Sequence, residues 1–337
     1  MITEHDHRGR AALRLDRSVE VAFHLVARLP ALDPIALGLA RARSTAAERI
    51  AAEARARLAP LLTAVTELDP AACARFDSEV AAALDALRQD TPAGLRGALA
   101  RADRRFYRNE EEWLDDPSFP QAQRVHLLAV LDRFNEHLGN YRAWTQAIAD
   151  FLDEIDAPSP ARVCDLAAGH GGFAIALKER LGARVEVRAT DYVEEYLDLG
   201  RDNARRRGVD VTFQQQDATD LRHLPPSDLL LCTQSLHHFP PGMVARMIGQ
   251  AARATRHALC FIDAERNPLG VAVLGPLMAL YGRSRVVVHD TVASLRRMYM
   301  AEELQLLALL APGVPPGFRL HTERRGPGYA YLFGRRT

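Results

Sequence analysis

The sequence predicts an α/β fold. It has five parallel strands with helices on both faces, closed by a C-terminal antiparallel hairpin and preceded by an all-helical segment. Three observations predict this. From Ala161 onward, short apolar strands alternate with helical stretches, the pattern of a parallel sheet covered on both sides. Residues Arg162 to Leu177 read as strand, glycine-bearing turn and helix. The last two strands, Phe318 to Arg324 and Gly328 to Phe333, are joined by Gly326-Pro327-Gly328, a turn short enough for a hairpin.

The chain has 337 residues, 48% of them apolar, enough for one large or two modest domains. Helices are expected over Ala11–Leu29, Asp33–Arg43, Ser44–Leu68, Pro70–Gln89 and Pro92–Asn109. Asp33-Pro34, Asp69-Pro70 and Thr91-Pro92 each place a capping residue before a proline at the first helical position. This stretch carries no chemical constellation. It is expected to be a helical accessory domain, residues 1–110, that shapes a pocket or an oligomer, a homodimer being one form. Two more helices, Gln121–Leu138 and Tyr141–Ile155, lead through Ala157-Pro158-Ser159-Pro160 into the strands.

The parallel strands are expected at Arg162–Leu166, Arg184–Ala189, Val211–Gln215, Asp228–Thr233 and Ala258–Ile262. Carboxylates stand at the ends of the first three: Asp165, Asp191 and Asp217. Open α/β sheets bind their ligands at the carboxyl ends of the strands. Gly169 and Gly171 allow a sharp turn and a close approach of backbone to ligand, and the helix after them presents free N–H groups. The turn also fits the dinucleotide pattern through Gly169-His170-Gly171-Gly172-Phe173-Ala174, with Asp191 about 20 residues on. A nicotinamide-dependent oxidoreductase is therefore the rival reading. The C-terminal hairpin argues against it.

Asp165-Leu166-Ala167-Ala168-Gly169-His170-Gly171 resembles the first motif of class I S-adenosylmethionine-dependent methyltransferases. Ala167 replaces the first glycine, which is tolerable if its φ stays negative. The resemblance implies the Rossmann-like seven-stranded class I methyltransferase sheet over residues 111–337. It implies S-adenosyl-L-methionine as cofactor and S-adenosyl-L-homocysteine as product. It also implies roles for individual residues. Asp191 would accept the ribose hydroxyls, with Tyr192 packing on the adenine side. Asp217 and the Ala218 amide would meet the adenine ring. Asp165 would face the positively charged end of the cofactor, with Thr233 beside it. Tyr141, Arg142 and Trp144 would line the site from the preceding helix, Arg142 meeting the methionine carboxylate. Asp115-Asp116-Pro117, Asn135 and Leu138-Gly139 further resemble the leader of a methyltransferase group found beside type III polyketide synthases and flavin oxygenases.

Leu236-His237-His238-Phe239, after the fourth strand, resembles the Leu-His-His-aromatic segment of small-molecule methyltransferases. A histidine is the natural base for a phenolic proton near neutral pH. His237 is expected to face the acceptor and His238 to be structural, with His289 or Tyr281 as a further polar anchor. The apolar stretch Leu269–Leu280 is expected to roof the acceptor pocket as a helix pair. These features suit an aromatic or alkylated small molecule. O-methylation of a phenolic or quinonoid natural product comes first, C- or N-methylation second. A catalytically silent cofactor-binding subunit is the third reading.

The remaining bounds are negative. Lys+Arg and Asp+Glu number 43 each, and no basic stripe points to nucleic acid. The four cysteines, at 73, 164, 232 and 260, show no metal or disulfide spacing, so no metal site is expected, and a reducing cytoplasm fits. The charged start suggests no secretory signal, and no apolar run reaches the ~18 residues of a membrane span.

Overall fold

The computed structural model describes residues 33–116, 118–266, 268–282, 284–326 and 328–337. The helix expected at Ala11–Leu29 lies outside these residues. The strands are β1 (Ala161–Leu166), β2 (Val185–Asp191), β3 (Val211–Gln215), β4 (Ser227–Thr233), β5 (Thr255–Ala264), β6 (Phe318–Arg325) and β7 (Tyr329–Arg336). They form one sheet in the order β3-β2-β1-β4-β5-β7-β6. β1 to β5 run parallel, and β7 runs antiparallel between β5 and β6. The seven-stranded arrangement is the one the sequence implies. Strand order reverses between β1 and β4, which opens a crevice at their carboxyl ends.

Both sheet faces are buried because successive side chains point to opposite sides. Val163, Leu229, Leu231, Cys260 and Ile262 pack under α6 (Asn140–Glu154) and α7 (Gly172–Leu181). Their neighbours Cys164, Leu230, Cys232, Leu259 and Phe261 join the core beneath α9 (Pro241–Ala254) and α12 (Ala301–Leu310). All four cysteines are buried and unpaired, and behave as small hydrophobes. The remaining helices of the α/β region are α8 (Glu194–Arg207), α10 (Pro268–Gly282) and α11 (Arg285–Arg297), and α5 (Gln121–His137) precedes α6.

The N-terminal helices are α1 (Asp33–Leu58), α2 (Leu62–Thr66), α3 (Pro70–Gln89) and α4 (Gly94–Phe106). Asp69 caps α3 as expected, accepting from the Ala72 amide at 2.8 Å. The break expected at Arg43–Ser44 is absent. α1 runs through it, and the Ser44 hydroxyl bonds to Gln305 instead of capping a helix. The helix ends at Leu58, ahead of Pro60, which has no amide hydrogen to continue it.

The boundary at residue 110 is one of sequence character and not of packing. Ile50, Leu58, Phe76, Val80 and Leu84 belong to the same apolar cluster as Val244, Ile248, Leu304 and Leu307. α3 and α9 approach so closely that a Cβ on Gly242 would lie 2.3 Å from Asp77 Cα. The helices therefore share the core of one sheet face. The amphipathic periodicity of residues 33–106 is silent about which apolar surface answers it.

Candidate active site

The turn after β1 is built from left-handed residues. Ala167, Gly169 and Gly171 have φ of +48°, +56° and +71°. The expectation of a negative φ at Ala167 is thus overturned: the turn bends there, and alanine is held in a conformation that favours glycine. Two backbone donations fix the bend. The Ala168 amide bonds to Thr190 O at 2.8 Å, and the Gly169 amide to Asp191 Oδ2 at 2.7 Å. At Gly171 a Cβ would meet the Phe213 ring at 2.6 Å, so this position also needs glycine for space.

In front of the turn lies a cavity of about 820 Å³, reaching from Asp217 and Ala218 past Asp191, Tyr192 and Asp165 to His237, His238 and Leu274. Several polar atoms on its wall are buried and unpartnered: Asp165 Oδ1, Thr233 Oγ1 and Trp144 Nε1. Such atoms are rare unless a ligand completes them. Burial, and then the neighbouring Asp191 carboxylate, push the Asp165 carboxyl up to about 8. Burial also raises Asp191. The Asp165 carboxyl thus awaits positive charge or a donor, whereas Asp191 already accepts the Gly169 and Val193 amides and keeps lone pairs for further donors. Asp217 closes its own turn by accepting from the amide and hydroxyl of Thr219, both at 2.7 Å. Tyr192 is 71% exposed at the mouth. Tyr141 is buried and donates to Asp132 at 2.9 Å.

Arg142 does not reach this cavity. Its side chain is exposed on α6, while Tyr141 and Trp144 occupy the inward positions of the same helix. Helical periodicity separates neighbours in sequence by about 100°.

The two histidines occupy a short turn, Leu236–His238, after β4. His237 is buried. Its Nδ1 lies 2.9 Å from Asp263 Oδ2 and its Nε2 3.5 Å from Glu112 Oε1. Burial alone would lower its pKa, but Asp263 and Glu112 outweigh burial and raise it to about 10. Burial opposes ionisation of Glu112 too, yet His238, His237 and Arg297 hold it at about 2. His238 keeps 26% side-chain exposure and has Asp115 Oδ1 2.9 Å from its Nδ1. Asp115 is held low against its burial by His238 and Arg297. The expected assignment, His237 open and His238 structural, therefore meets the opposite burial.

Above this corner, Leu114, Leu128, Leu131 and Phe134 face Leu274, Met278, Leu295 and Met298 across the cavity. α5, α10 and α11 meet here in a separate small core around Leu127, Val130, Met278 and Val287. Leu269–Leu280 is part of one helix, α10, and not a helix pair, with Pro276 inside it. The Asp290 carboxylate accepts the Trp113 and Leu114 amides at 2.9 and 3.1 Å and fixes the stretch that carries Glu112. His289 stacks on Trp113 at 4.1 Å outside the cavity lining, so it is a clamp for that stretch and not a base within reach. Tyr281 likewise lies off the lining, its hydroxyl 2.6 Å from His137 Nδ1.

Glu112, Asp132, His170 and Asp263 were not singled out in the sequence. Glu112 ends an ordinary acidic run, Glu110-Glu111-Glu112, and nothing local marks it. Asp263 had a signal, since a carboxylate at the end of the fifth parallel strand repeats the pattern of the first three.

Residues 163–258 match the family described as "Methyltransferase domain". A demethylmenaquinone methyltransferase of Deinococcus radiodurans is 39% identical over 103 residues, 30% of this chain and 41% of that protein. A ubiquinone/menaquinone biosynthesis C-methyltransferase of Bdellovibrio bacteriovorus is 27% identical over 147 residues, 44% of this chain and 60% of that one. The chain thus spans about half the length of the curated relatives it matches. The plantazolicin methyltransferase BpumL, solved with SAH, shares the fold at a TM-score of 0.50. It is 9% identical and covers 67% of this chain and 93% of its own.

Proposed function

We propose that this chain, whose residues 163–258 match a methyltransferase domain, is a class I S-adenosylmethionine-dependent enzyme that transfers the cofactor's methyl group to a phenolic or quinonoid small molecule. The observation that carries the reading is the pairing of two halves in one cavity: strand-end carboxylates at the glycine turn, among them the unpartnered Asp165 Oδ1, and an apolar roof over a histidine pair.

The residues present fit the cofactor. Asp191, at the end of β2, would accept the two ribose hydroxyls, and Asp217 with Ala218 would border the adenine. The unpartnered Asp165 oxygen suits the ammonium or sulfonium charge. Without Arg142, the cavity wall still offers the methionine carboxylate the unpartnered Trp144 Nε1–H and Arg124 Nε–H as donors.

The cofactor supplies an activated methyl group, so the protein's task is to place an acceptor in line with it and let a proton go. The acceptor hydroxyl gives up its proton at the His238 end of the corner. Its oxygen forms the new bond to the methyl carbon as the carbon–sulfur bond breaks, and that electron pair stays on sulfur. The products are a methyl ether, S-adenosylhomocysteine and one proton. The named activities of the relatives favour a second reading, attack by a ring carbon beside the phenolate, which gives a ring methyl and releases the carbon's proton instead.

Calorimetry with S-adenosylmethionine, then transfer of a ¹³C-methyl group to phenols and hydroquinones bearing alkyl tails, tests this. A methoxy carbon signal supports O-transfer and an aryl-methyl signal supports C-transfer. Binding without transfer to any acceptor leaves a cofactor-binding subunit. Absence of cofactor binding removes the reading.

A further inference from the structure

Glu112, His237 and His238 each bring one donor atom to within 4.8 Å of the others, the first two residues buried. We infer that these three side chains hold a divalent first-row metal ion at the acceptor end of the cavity. The donors come from chain segments far apart, the stretch before the Trp113–Asp115 turn and the Leu236–His238 turn. Cysteine spacing, on which the expectation of no metal rested, is blind to such a set.

The distances favour an ion over a shared proton. His237 Nε2 lies 3.5 Å from Glu112 Oε1, and His238 Nε2 4.0 Å from Glu112 Oε2. A direct charge-assisted hydrogen bond would be about 2.7–2.9 Å. Nitrogen and oxygen ligands bound at about 2.0–2.2 Å from one centre stand roughly 3–4 Å apart.

The outer ring nitrogens point the same way. Nδ1 of His237 faces Asp263, and Nδ1 of His238 faces Asp115, each at 2.9 Å. A carboxylate on the far nitrogen fixes the tautomer and turns the Nε2 lone pair inward, as metal-ligating histidines require. Arg297 Nη2 also lies 2.6 Å from His238 Nδ1 and can donate there instead. An ion at the centre selects the tautomer that faces Asp115.

Charge supports the same occupant. Glu112, Asp115 and Asp263 bring three carboxylates to this corner against the Arg297 guanidinium, and once an ion displaces the His237 proton the corner carries a net charge of −2. A dication balances that. Two imidazoles and a carboxylate suit zinc, iron(II) or a similar ion, and leave coordination positions open toward the cavity. An acceptor oxygen bound there loses its proton more easily. The ion site stands on the donors alone, whereas its use in methyl transfer rests on the function proposed above.

The test is titration of the chelator-treated full-length protein with Co²⁺, and separately Zn²⁺, with neither cofactor nor acceptor present. Calorimetry and the visible bands of bound cobalt are the readouts. The expected result is one ion per chain. Glu112→Gln and His238→Ala abolish it, and Asp115→Asn weakens it about 10–100-fold. Retained S-adenosylmethionine binding shows that each variant is folded. Absence of saturable binding by the wild type, or binding unchanged in Glu112→Gln and His238→Ala, overturns the site. Methyl transfer is measured separately, so its failure is distinguishable.

Discussion

The Asp103 carboxylate on α4 grips the Arg266 guanidinium just beyond β5, meeting Nε at 2.8 Å and Nη2 at 3.0 Å. The Arg266 side chain is fully buried and also meets Glu303 at 2.8 Å, while Arg43 of α1 joins Asp103 and Arg88 of α3 joins Glu303. Among the described residues, three of the four N-terminal helices thus contribute to one ionic network with the sheet domain. Removing one partner of a buried pair costs about 3–5 kcal/mol. Asp103→Ala is expected to lower stability by that order in urea unfolding, with the helical and sheet segments lost in one transition. A chain beginning near Asn109 is expected to be insoluble, because Val244 and Ile248 lose their cover. Two separate unfolding transitions, or a soluble cofactor-binding truncation, would show two independent domains.

His237 and His238 are expected to differ in kind. His238→Ala should lower turnover about 10²–10⁴-fold while cofactor affinity stays near wild type. His237→Ala should lower stability, because it leaves Asp263 and Glu112 facing each other in the interior. The pH dependence has a definite sign. In the chelator-treated, metal-free protein the pKa of His237 is raised from its ordinary value to about 10, so its contribution to stability is complete below about 6.5 and is lost as pH rises to about 10. Unfolding free energies from pH 6 to 10 should fall more steeply for wild type than for His237→Gln.

Asp165 titrates with the cofactor. Its carboxyl is raised to about 8, so it is mostly protonated at neutral pH in the free protein. A raised carboxyl favours folding below its ordinary pKa and loses that contribution as pH climbs to about 8. A cation placed against it lowers the pKa by about 1–3 units. Cofactor binding at pH 7 should therefore release about 0.4–0.9 of a proton, read from calorimetry in two buffers of different ionisation heat. Asp165→Asn should abolish the release and weaken binding about tenfold or more. It should also make the free protein more stable at pH 8. Equal proton release in the variant would remove Asp165 from the cofactor's charged end.

Ala167 is a stabilisation waiting in the turn. Its φ of +48° costs an L-residue about 1–2 kcal/mol, partly offset in glycine by chain entropy. Ala167→Gly is expected to raise stability by about 0.5–1 kcal/mol with cofactor affinity unchanged. A lower melting temperature would mean that the alanine methyl makes packing contacts worth more than the strain.

The sequence by itself determined the sheet, because each strand is a short apolar run and each turn carries its own breaker. It also marked Asp165, Gly169, Gly171, Asp191 and Asp217, because a strand-end ligand site draws its residues from local turns. Only the tertiary structure decided the rest. The sign of φ at Ala167 depends on how the turn is tied to Thr190 and Asp191. The inward face of α6 excludes Arg142, and the packing of α11 against the Trp113 stretch takes His289 away from the cavity. The roles of the two histidines follow from Glu112, Asp115 and Asp263, residues distant in sequence that only folding brings to the same corner. Local patterns encode local geometry, whereas electrostatic environment is set by whatever the rest of the chain packs alongside.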